Sequence, residues 1–206
     1  MPKKVIKVKD KWKEKTWVQV EAPAIFGNKI IVKVPITEVK NAIGRIIETT
    51  LFDLVGEEEE QHAIKLKFKI REIQGDVAKT NFKQLEQTRE SLKSMIRKGT
   101  SIVDFFSNMK TKDGAEMRVF VIIYTLTKIN TSRKKAIRRI ADKIVEEKAK
   151  KLNFDQFVLE AALGKIASDI FSEAKKIIKI RYTSVRKLKI MDYPKKEEEE
   201  LTPSPS

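Results

Sequence analysis

The alternation of apolar and cationic side chains over residues 64–71 is the clearest pattern in this chain. The octet reads I-K-L-K-F-K-I-R, and successive side chains of a β-strand point to opposite faces of a sheet. One face would join an apolar core, whereas the other would present cations about 7 Å apart, twice the rise per residue of a strand. These cations are Lys65, Lys67, Lys69 and Arg71. They would either meet an anionic partner, which relieves their mutual repulsion, or keep an exposed edge strand soluble.

Other segments rich in β-branched and aromatic residues predict further strands. The last of them, residues 117–129, is almost uninterrupted apolar sequence, so we predict a central strand that is covered on both faces. Asp113-Gly114 predicts the hairpin turn before it. The predicted strands are residues 17–22, residues 29–34 (ended by Pro35) and residues 45–54 before the octet, and after it extended chain around a turn at Gly75, residues 101–109 and residues 117–129.

The period of the apolar positions changes after residue 130, which indicates helices. Residues 131–151 carry Ile137, Ile140, Ala141 and Ile144 on one side and basic residues on the other. The other predicted helices are residues 37–41 with Thr37 as cap, residues 87–98 with Thr88 as cap, residues 155–162, and a segment from Gly164 to about residue 176.

The alternation of a strand returns over residues 177–190. Its first part predicts inward-facing Ile178, Ile180 and Tyr182, with Lys179, Arg181 and Thr183 facing outward. The alternation fails near Val185-Arg186, which predicts a β-bulge there. Six or seven strands, then two or three helices and one returning strand, indicate an α+β fold in which the late strand pairs with the early sheet.

The charge of the chain favours a polyanionic partner. Its 206 residues include 44 Lys and Arg against 29 Asp and Glu, a formal net charge of +15. Such a balance indicates nucleic acid first and an anionic membrane surface second. The sequence contains no run of about 18 apolar residues, so we predict no membrane span. The apolar side of helix 131–151 has no Trp or Phe that could insert into a membrane surface. The absence of cysteine excludes disulfides and thiolate chemistry.

The two ends of the chain differ in composition from the rest. Residues 1–15 contain seven lysines and predict a basic extension that either orders on RNA or serves as a solubilising tail. No apolar stretch follows it, so we do not expect a secretory signal. Residues 16–192 are predicted to form the single α+β domain, and residues 193–206, with four consecutive glutamates, a disordered acidic tail.

The sequence offers little for catalysis. It has no phosphate-loop, dinucleotide-binding or nucleophile-elbow motif, and with His62 as the only histidine a two-histidine zinc site is excluded. The acidic run Glu57–Glu60 could bind a divalent cation, but consecutive glutamates in a turn are usually solvated. We therefore expect a protein that is not an enzyme, with no catalytic site, metal site or cofactor.

Basic residues on the lysine-faced strand, on helix 131–151 and on the last strand suggest one distributed polyanion-binding surface. Its contacts would mostly be to phosphates, which position a protein without reading sequence. Few aromatic residues interleave with these cations, because Phe68 and Tyr182 are predicted to face the core, and this argues against a base-stacking platform. The hypothesis requires that the cationic tips lie together and are not paired with carboxylates of the protein itself. The candidate RNA-binding residues are Lys65, Lys67, Lys69, Arg71, Arg133, Lys134, Lys135, Arg138, Arg139, Lys143, Lys179, Arg181, Arg186, Lys187 and Lys189.

Eight short motifs carry a family resemblance. They are W-V-Q-V-E-A-P-A-I-F (Trp17–Phe26), G-R (Gly44-Arg45), T-N-F (Thr80–Phe82), L-E-Q-T-R (Leu85–Arg89), K-T-K-D-G (Lys110–Gly114), R-V-F (Arg118–Phe120), I-R-R-I (Ile137–Ile140) and V-R-K-L-K (Val185–Lys189). In this order and spacing the chain resembles the three-A-e family of archaeal and eukaryotic small-subunit ribosomal proteins over most of its length. The resemblance is to archaeal members.

The resemblance implies a non-catalytic structural component of the small ribosomal subunit in the cytoplasm. It also implies a place on the platform near the messenger exit, where the protein would contact small-subunit rRNA and neighbouring ribosomal proteins, with messenger RNA and initiation factors as further partners. The protein would be a monomer within the subunit and would not bind membranes.

The resemblance further implies a barrel-like sheet, so the predicted fold is α+β, with a six- to seven-stranded, mostly antiparallel, barrel-like sheet and two or three packed helices. A free RNA-binding or RNA-chaperone protein outside the ribosome is the alternative.

Overall fold

The computed structural model of the protein describes residues 12, 15–56 and 59–194. These residues form one mixed sheet of eight strands, six α-helices and two short 3₁₀ helices. The strands are β1 (Thr16–Glu21), β2 (Ile30–Ile36), β3 (Ile46–Thr50), β4 (Ile64–Gln74), β5 (Val77–Gln87), β6 (Ile102–Lys110), β7 (Glu116–Thr125) and β8 (Ile180–Asp192). The α-helices are α1 (Val39–Ala42), α2 (Leu51–Leu54), α3 (Arg89–Ser94), α4 (Thr131–Lys151), α5 (Phe154–Ala162) and α6 (Lys165–Ala174).

Strand β5 organises the sheet because it pairs with three other strands. Along one edge it forms an antiparallel hairpin with β4, which in turn pairs with β3. Along its other edge, residues 77–79 pair with β1 in parallel, and residues 84–86 pair with β8 antiparallel. Strand β8 then pairs with β7, and β7 with β6. The last strand therefore inserts between the early sheet and the β6–β7 hairpin.

The predicted α+β class in a single domain is confirmed, and the sheet is mostly antiparallel with one parallel pair, β1 and β5. Eight strands replace the predicted six or seven, and the sheet is open, because β3, β2 and β6 end its branches and pair on one side only. Strand β4 has partners on both sides. The interpretation of residues 64–71 as a soluble edge strand is therefore wrong.

The main core lies between one face of the sheet, called here the inner face, and helices α4, α5 and α6. At its centre is the ring of Phe82, which lies within 6.5 Å (centroid to centroid) of three other phenylalanine rings. These rings belong to Phe26, Phe68 and Phe154. The cluster joins the β4–β5 hairpin to α5 and to the 3₁₀ helix that follows β1.

A second, smaller core lies beside the N-terminal strands. It consists of Val18, Val20, Ile36, Ala42, Ile70 and Ala78. These residues come from β1, β2, α1, β4 and β5, so the core fixes the β1–β2 hairpin to the start of the sheet. Pro35 lies within β2 and does not end it, because β2 is an edge strand whose outer edge needs no N–H donors.

The predicted strand over residues 45–54 is half right. Strand β3 ends at Thr50, and helix α2 follows at once. The Thr50 hydroxyl accepts the N–H of Asp53, while the Asp53 carboxylate accepts the N–H of Thr50, so the two residues form a capping box. Hydrogen bonds from Thr50 hold the pKa of Asp53 below its usual value. The β-branched composition of the segment concealed this helix start.

The other helices follow the prediction with shifted ends. Helix α4 covers the predicted residues, and α5 and α6 lie within about two residues of theirs. The N-cap residue of α1 is Glu38 rather than the predicted Thr37. Helix α3 is only six residues long and buries none of them, so no tertiary packing extends it to residue 98.

The predicted central strand is also corrected. Strand β7 ends at Thr125, whose hydroxyl donates to the carbonyl of Thr127 and so closes a turn. It is internal, between β8 and β6, but only its second half is buried on both faces, because Arg118 and Phe120 remain partly exposed. The bulge near Val185-Arg186 is confirmed, since Phe120 pairs with Lys187 and Val121 with Val185.

A second irregularity reverses the predicted facing of Tyr182. Tyr124 pairs with Tyr182 and Thr125 with Ile180, so Arg181 is an extra residue on β8. Tyr182 consequently lies on the same face as Tyr124, with 6.4 Å between the ring centroids, and Thr183 is buried instead. Most of the predicted basic extension, part of the Glu57–Glu60 turn and nearly all of the acidic tail lie outside the described residues.

Replacing Phe82 by Ala tests the ring cluster. The variant should lose about 3–5 kcal/mol of unfolding free energy, because a fully buried ring is removed from among three others. Urea unfolding followed by circular dichroism measures this loss. The matched control is Phe106→Ala, whose side chain is 62% exposed and which should change stability by at most about 0.5 kcal/mol. Equal losses in the two variants would contradict this account of the core.

Candidate nucleic-acid interface

Two rows of side chains cross the face of the sheet that is opposite the helices, called here the outer face. Residues that pair directly on neighbouring strands project from the same face, so the strand register identifies each row. The first row is Glu48, Lys67, Gln84, Lys189, Arg118 and Asn108, from β3 to β6. The second row is Thr50, Lys65, Glu86, Lys187, Phe120 and Phe106. Lysines predicted on β4 and β8 thus lie in the same rows, with one residue of β5 between them, although more than 110 residues separate them in sequence.

The β4 half of the outer face contains its own counter-charges. Lys65 Nζ lies 2.8 Å from Glu48 Oε1, and Lys67 Nζ lies 3.4 Å from Glu48 Oε2. Glu86 lies on β5, between β4 and β8, and its Oε2 is 3.8 Å from Lys67 Nζ and 3.7 Å from Lys187 Nζ. The expected row of unpaired cations on β4 is therefore partly neutralised by carboxylates from β3 and β5.

These pairs shift the pKa values of their members. The hydrogen bond from Lys65 holds the pKa of Glu48 below its usual value, and the same bond raises the pKa of Lys65. The Glu48 contribution to stability is thus present above pH 4.5 and lost as the pH falls through its folded-state pKa. The Lys65 contribution is present below pH 10.5 and lost as the pH rises through its folded-state pKa. At this exposure, such pairs contribute little to stability.

The half of the outer face on β8, β7 and β6 is more strongly cationic. Within the described part of the chain, no carboxylate lies within 4 Å of Lys189, Arg118 or Arg186. Arg186 is the extra residue of the β8 bulge and is exposed. Arg118 was not among the predicted site residues. Its Nε donates to Asn108 Oδ1 at 2.7 Å, so its guanidinium group is held in place above the sheet.

Aromatic rings lie beside these cations, which corrects the expectation from sequence. Phe106 and Phe120 pair across β6 and β7, with 5.8 Å between their ring centroids. Phe106 is exposed and Phe120 partly exposed. The alternation in the segment R-V-F-V at residues 118–121 could have identified Phe120 as facing away from the core. The interpretation of this segment as a strand covered on both faces concealed that signal.

The first half of α4 forms a second basic surface. Residues 131–141 contain five cations and no acidic residue, and the helix buries Ile137 and Ala141 against the sheet. The predicted cations here are Arg133, Lys134, Lys135, Arg138 and Arg139, followed by Lys143. Lys143 lies 3.8 Å from Glu147, whereas Arg133, Lys135 and Arg139 are exposed and have no carboxylate within 4 Å among the described residues.

Arg138 connects this helix to the outer face. It reaches edge strand β6, where its Nε donates to the Asp104 carbonyl at 2.9 Å and its Nη2 lies 3.8 Å from the Asp104 carboxylate. Asp104 precedes Phe106 by two residues, so it lies on the same face of β6. Arg138 therefore brings the first half of α4 to the β6 edge of the outer face.

The remaining predicted residues lie elsewhere or have other surroundings. Lys69 is exposed at the far end of β4, paired with Ile46 and Asn81 across the strands. Arg71 is half-buried. Lys179 immediately precedes β8 and Arg181 is the second residue of that strand, roughly 20–26 Å along the chain from Lys187. Arg181 lines a groove of about 430 Å³ between α6 and α3, and is not part of the outer face rows.

The described residues contain no group of three or more His, Cys, Asp or Glu side chains that could hold a metal ion. In the same part of the chain, no helix is long and apolar enough to cross a membrane.

Comparison with known proteins gives the family. The sequence model of the Ribosomal S3Ae family matches residues 3–194. The chain belongs to the Ribosomal S3Ae family. This is the family that the eight sequence motifs indicated, and it is a family of ribosomal proteins and not of enzymes. The matched range includes every residue of the two outer-face rows and all of α4.

Relatives within the family are of similar length. The chain is 39% identical over 193 residues to "Small ribosomal subunit protein eS1" of Archaeoglobus fulgidus, which covers 93% of this chain and 92% of that protein. It is 40% identical over 190 residues to the protein of the same name from Desulfurococcus amylolyticus, covering 92% and 89%. The protein of this name from Pyrobaculum arsenaticum is 37% identical over 196 residues, covering 95% and 89%. These relatives are archaeal, as the sequence resemblance indicated.

Replacing Glu48 by Gln tests the charge pairing on the outer face of this family member. The pKa of Lys65 should fall towards its usual value of 10.5, because a neutral amide replaces the charged carboxylate that stabilises its protonated form. An NMR titration of the lysine side-chain amines measures the shift. Glu38→Gln, at an exposed position before α1, is the control and should leave the pKa of Lys65 unchanged. An unaltered pKa in Glu48→Gln would show that the pair does not form in solution.

Proposed function

We propose that this protein is a structural component of the small ribosomal subunit that binds rRNA chiefly through phosphates. Its membership of the Ribosomal S3Ae family supports the ribosomal role, as do archaeal relatives named small ribosomal subunit protein eS1. The observation that supports phosphate binding is the group of unpaired cations on α4, next to the cationic half of the outer face. A surface of this kind attracts a polyanion strongly and without sequence preference.

The cations divide into two classes by their surroundings. Arg133, Lys135 and Arg139 on α4 are exposed and have no carboxylate partner among the described residues, so RNA phosphates would be their first counter-ions. Lys65 and Lys67 would have to divide their interactions between RNA phosphates and the carboxylates of Glu48 and Glu86. We infer that α4 and the β8–β7 side of the sheet grip the rRNA backbone most strongly, with the β4 lysines contributing less each.

We further propose a position for the protein within the small subunit. The sequence resemblance supports the platform near the messenger exit, with neighbouring ribosomal proteins as contacts and messenger RNA and initiation factors as further partners. The protein would act in the cytoplasm as a monomer within each subunit. Exposed apolar residues on the β1–β2 side, such as Trp17 and Ile30, offer surface for neighbouring proteins, since exposed apolar patches often mark protein contacts.

Sedimentation distinguishes a subunit component from a free RNA-binding factor. A tagged copy expressed in an archaeal host should sediment with the small subunit at moderate salt, whereas a free factor or RNA chaperone would remain at the top of the gradient. The double variant Arg133→Gln/Lys135→Gln should leave the particle at a lower salt concentration than the natural protein, because two phosphate contacts are lost. The matched control is Lys150→Gln/Lys151→Gln, which removes the same charge from the other end of α4.

The salt dependence of rRNA binding tests the β4 lysines separately. Lys67→Gln/Lys69→Gln should flatten the logarithmic plot of affinity against salt by up to about two units of slope. We expect Lys69→Gln to account for more of this change than Lys67→Gln, because Lys67 already has two carboxylates within 4 Å. Glu86→Gln should act in the opposite direction and steepen the plot, because it releases Lys67 and Lys187. Filter binding to small-subunit rRNA provides the measurement, and an unchanged slope in the double lysine variant would remove this strand from the contact surface.

A further inference from the structure

An exposed phenylalanine pair stands at the edge of the cationic half of the outer face. Phe106 on edge strand β6 is 62% exposed, and its ring centroid lies 5.8 Å from that of Phe120 on β7. The rings are inclined by 38° to each other. No helix of the main core covers them, because α4, α5 and α6 pack on the inner face. An exposed ring on an open sheet is a surface on which a flat, apolar group can stack.

Guanidinium groups surround the pair. The Arg118 guanidinium carbon lies 5.7 Å from the Phe106 ring centroid, and Asn108 fixes the group in this position. On the other side Arg186 projects from the β8 bulge, next to Phe120 in the strand register. Arg138 enters from α4 and is held by Asp104.

The two rings, Arg138 and Arg186 line one depression, and Arg118 lies outside this lining, with its guanidinium carbon 5.7 Å from the Phe106 ring centroid. The volume of the depression is about 500 Å³, and its lining includes Asp104, Phe106, Phe120, Arg138 and Arg186. A floor of aromatic rings beneath a cationic rim matches the two parts of a nucleotide. Every base has an apolar face that can stack, and every nucleotide carries a phosphate that an arginine can bind.

We propose that an unpaired base of an RNA strand stacks on Phe106 and Phe120, with Arg186 and Arg118 binding its flanking phosphates. This site deepens the proposed function and rests on it only in taking RNA as the partner. It adds to phosphate binding a contact that double-stranded RNA cannot make, because bases inside a duplex already stack on each other. The depression therefore selects single-stranded RNA, such as a bulge, a loop or a free end.

Charge decides between RNA and an apolar peptide as the occupant. Around the rings lie Arg118, Arg138, Arg186 and Lys187. Asp104 is the carboxylate that lines the depression, and Glu86 lies farther away, on β5 beyond β8. An apolar peptide side chain would fill the aromatic floor and leave Arg118 and Arg186, which have no carboxylate within 4 Å among the described residues, without counter-ions. An RNA strand satisfies both, and Lys187 and Lys189 continue the cationic path away from the rings across β8.

Short oligonucleotides of equal charge test the stacking. Fluorescence anisotropy would compare an eight-nucleotide oligoadenylate with an eight-unit abasic ribose-phosphate chain. The natural protein should bind the oligoadenylate more tightly. Phe106→Ala should weaken that binding by about fivefold or more at every salt concentration without changing the salt slope, and should bind the abasic chain as before. Phe106→Tyr, which keeps a ring, should restore the oligoadenylate affinity.

The controls separate this site from the wider proposal. Leu163→Ala removes another exposed apolar side chain, 47% exposed at the end of α5, and should change neither affinity. If Phe106→Ala binds the oligoadenylate as tightly as the natural protein, the stacking site is overturned, and the peptide becomes the better occupant. The rRNA proposal then still stands if Arg133→Gln/Lys135→Gln weakens rRNA binding. If the natural protein binds neither oligonucleotide nor rRNA, both proposals fail.

Discussion

The structure depends on the insertion of β8 between β5 and β7. Strands β6 and β7 reach the rest of the sheet only through β8, which pairs with β7 along most of its length and with β5 over residues 84–86. Without that pairing, the β6–β7 hairpin and the β1–β5 strands would be two separate sheets. The helices that precede β8 fold back over its inner face, so the same insertion closes the main core.

The continuous outer face is a consequence of this pairing. Because paired residues share a face, inserting β8 aligns side chains from six strands into two rows. The alternation of the strands keeps apolar groups on the inner face and leaves the charged groups on the outer one. Pairs between Lys65, Lys67 and the carboxylates of Glu48 and Glu86 lower the mutual repulsion of the β4 lysines before any partner binds. Among the described residues, cations without such pairs remain on β8, β7 and α4, such as Lys189, Arg118 and Arg139.

Paired and unpaired cations of this basic surface contribute in different ways to binding. Paired cations add little to the stability of the protein, but they can exchange their partners for phosphates at modest cost. Unpaired cations provide attraction from a distance and most of the salt dependence of binding. Beside them, the exposed ring of Phe106 offers a contact that does not depend on charge. A component of a large RNA assembly can use both, because phosphate contacts hold the backbone and a stacked base fixes the register of the strand.

The sequence by itself determined most of the elements and most of their faces, because both follow largely from short-range periodicity. Residues 64–71 and 131–151 could be assigned from period and charge alone, and the β8 bulge at Arg186 was visible as a break in alternation. The capping box at Thr50 was concealed by β-branched neighbours. Tertiary structure decided which elements meet: that Glu48 and Glu86 lie beside the β4 lysines, and that Phe106 and Phe120 pair next to Arg186. Such neighbours are set by strand register between segments tens of residues apart, and a single sequence does not encode that register in any local pattern.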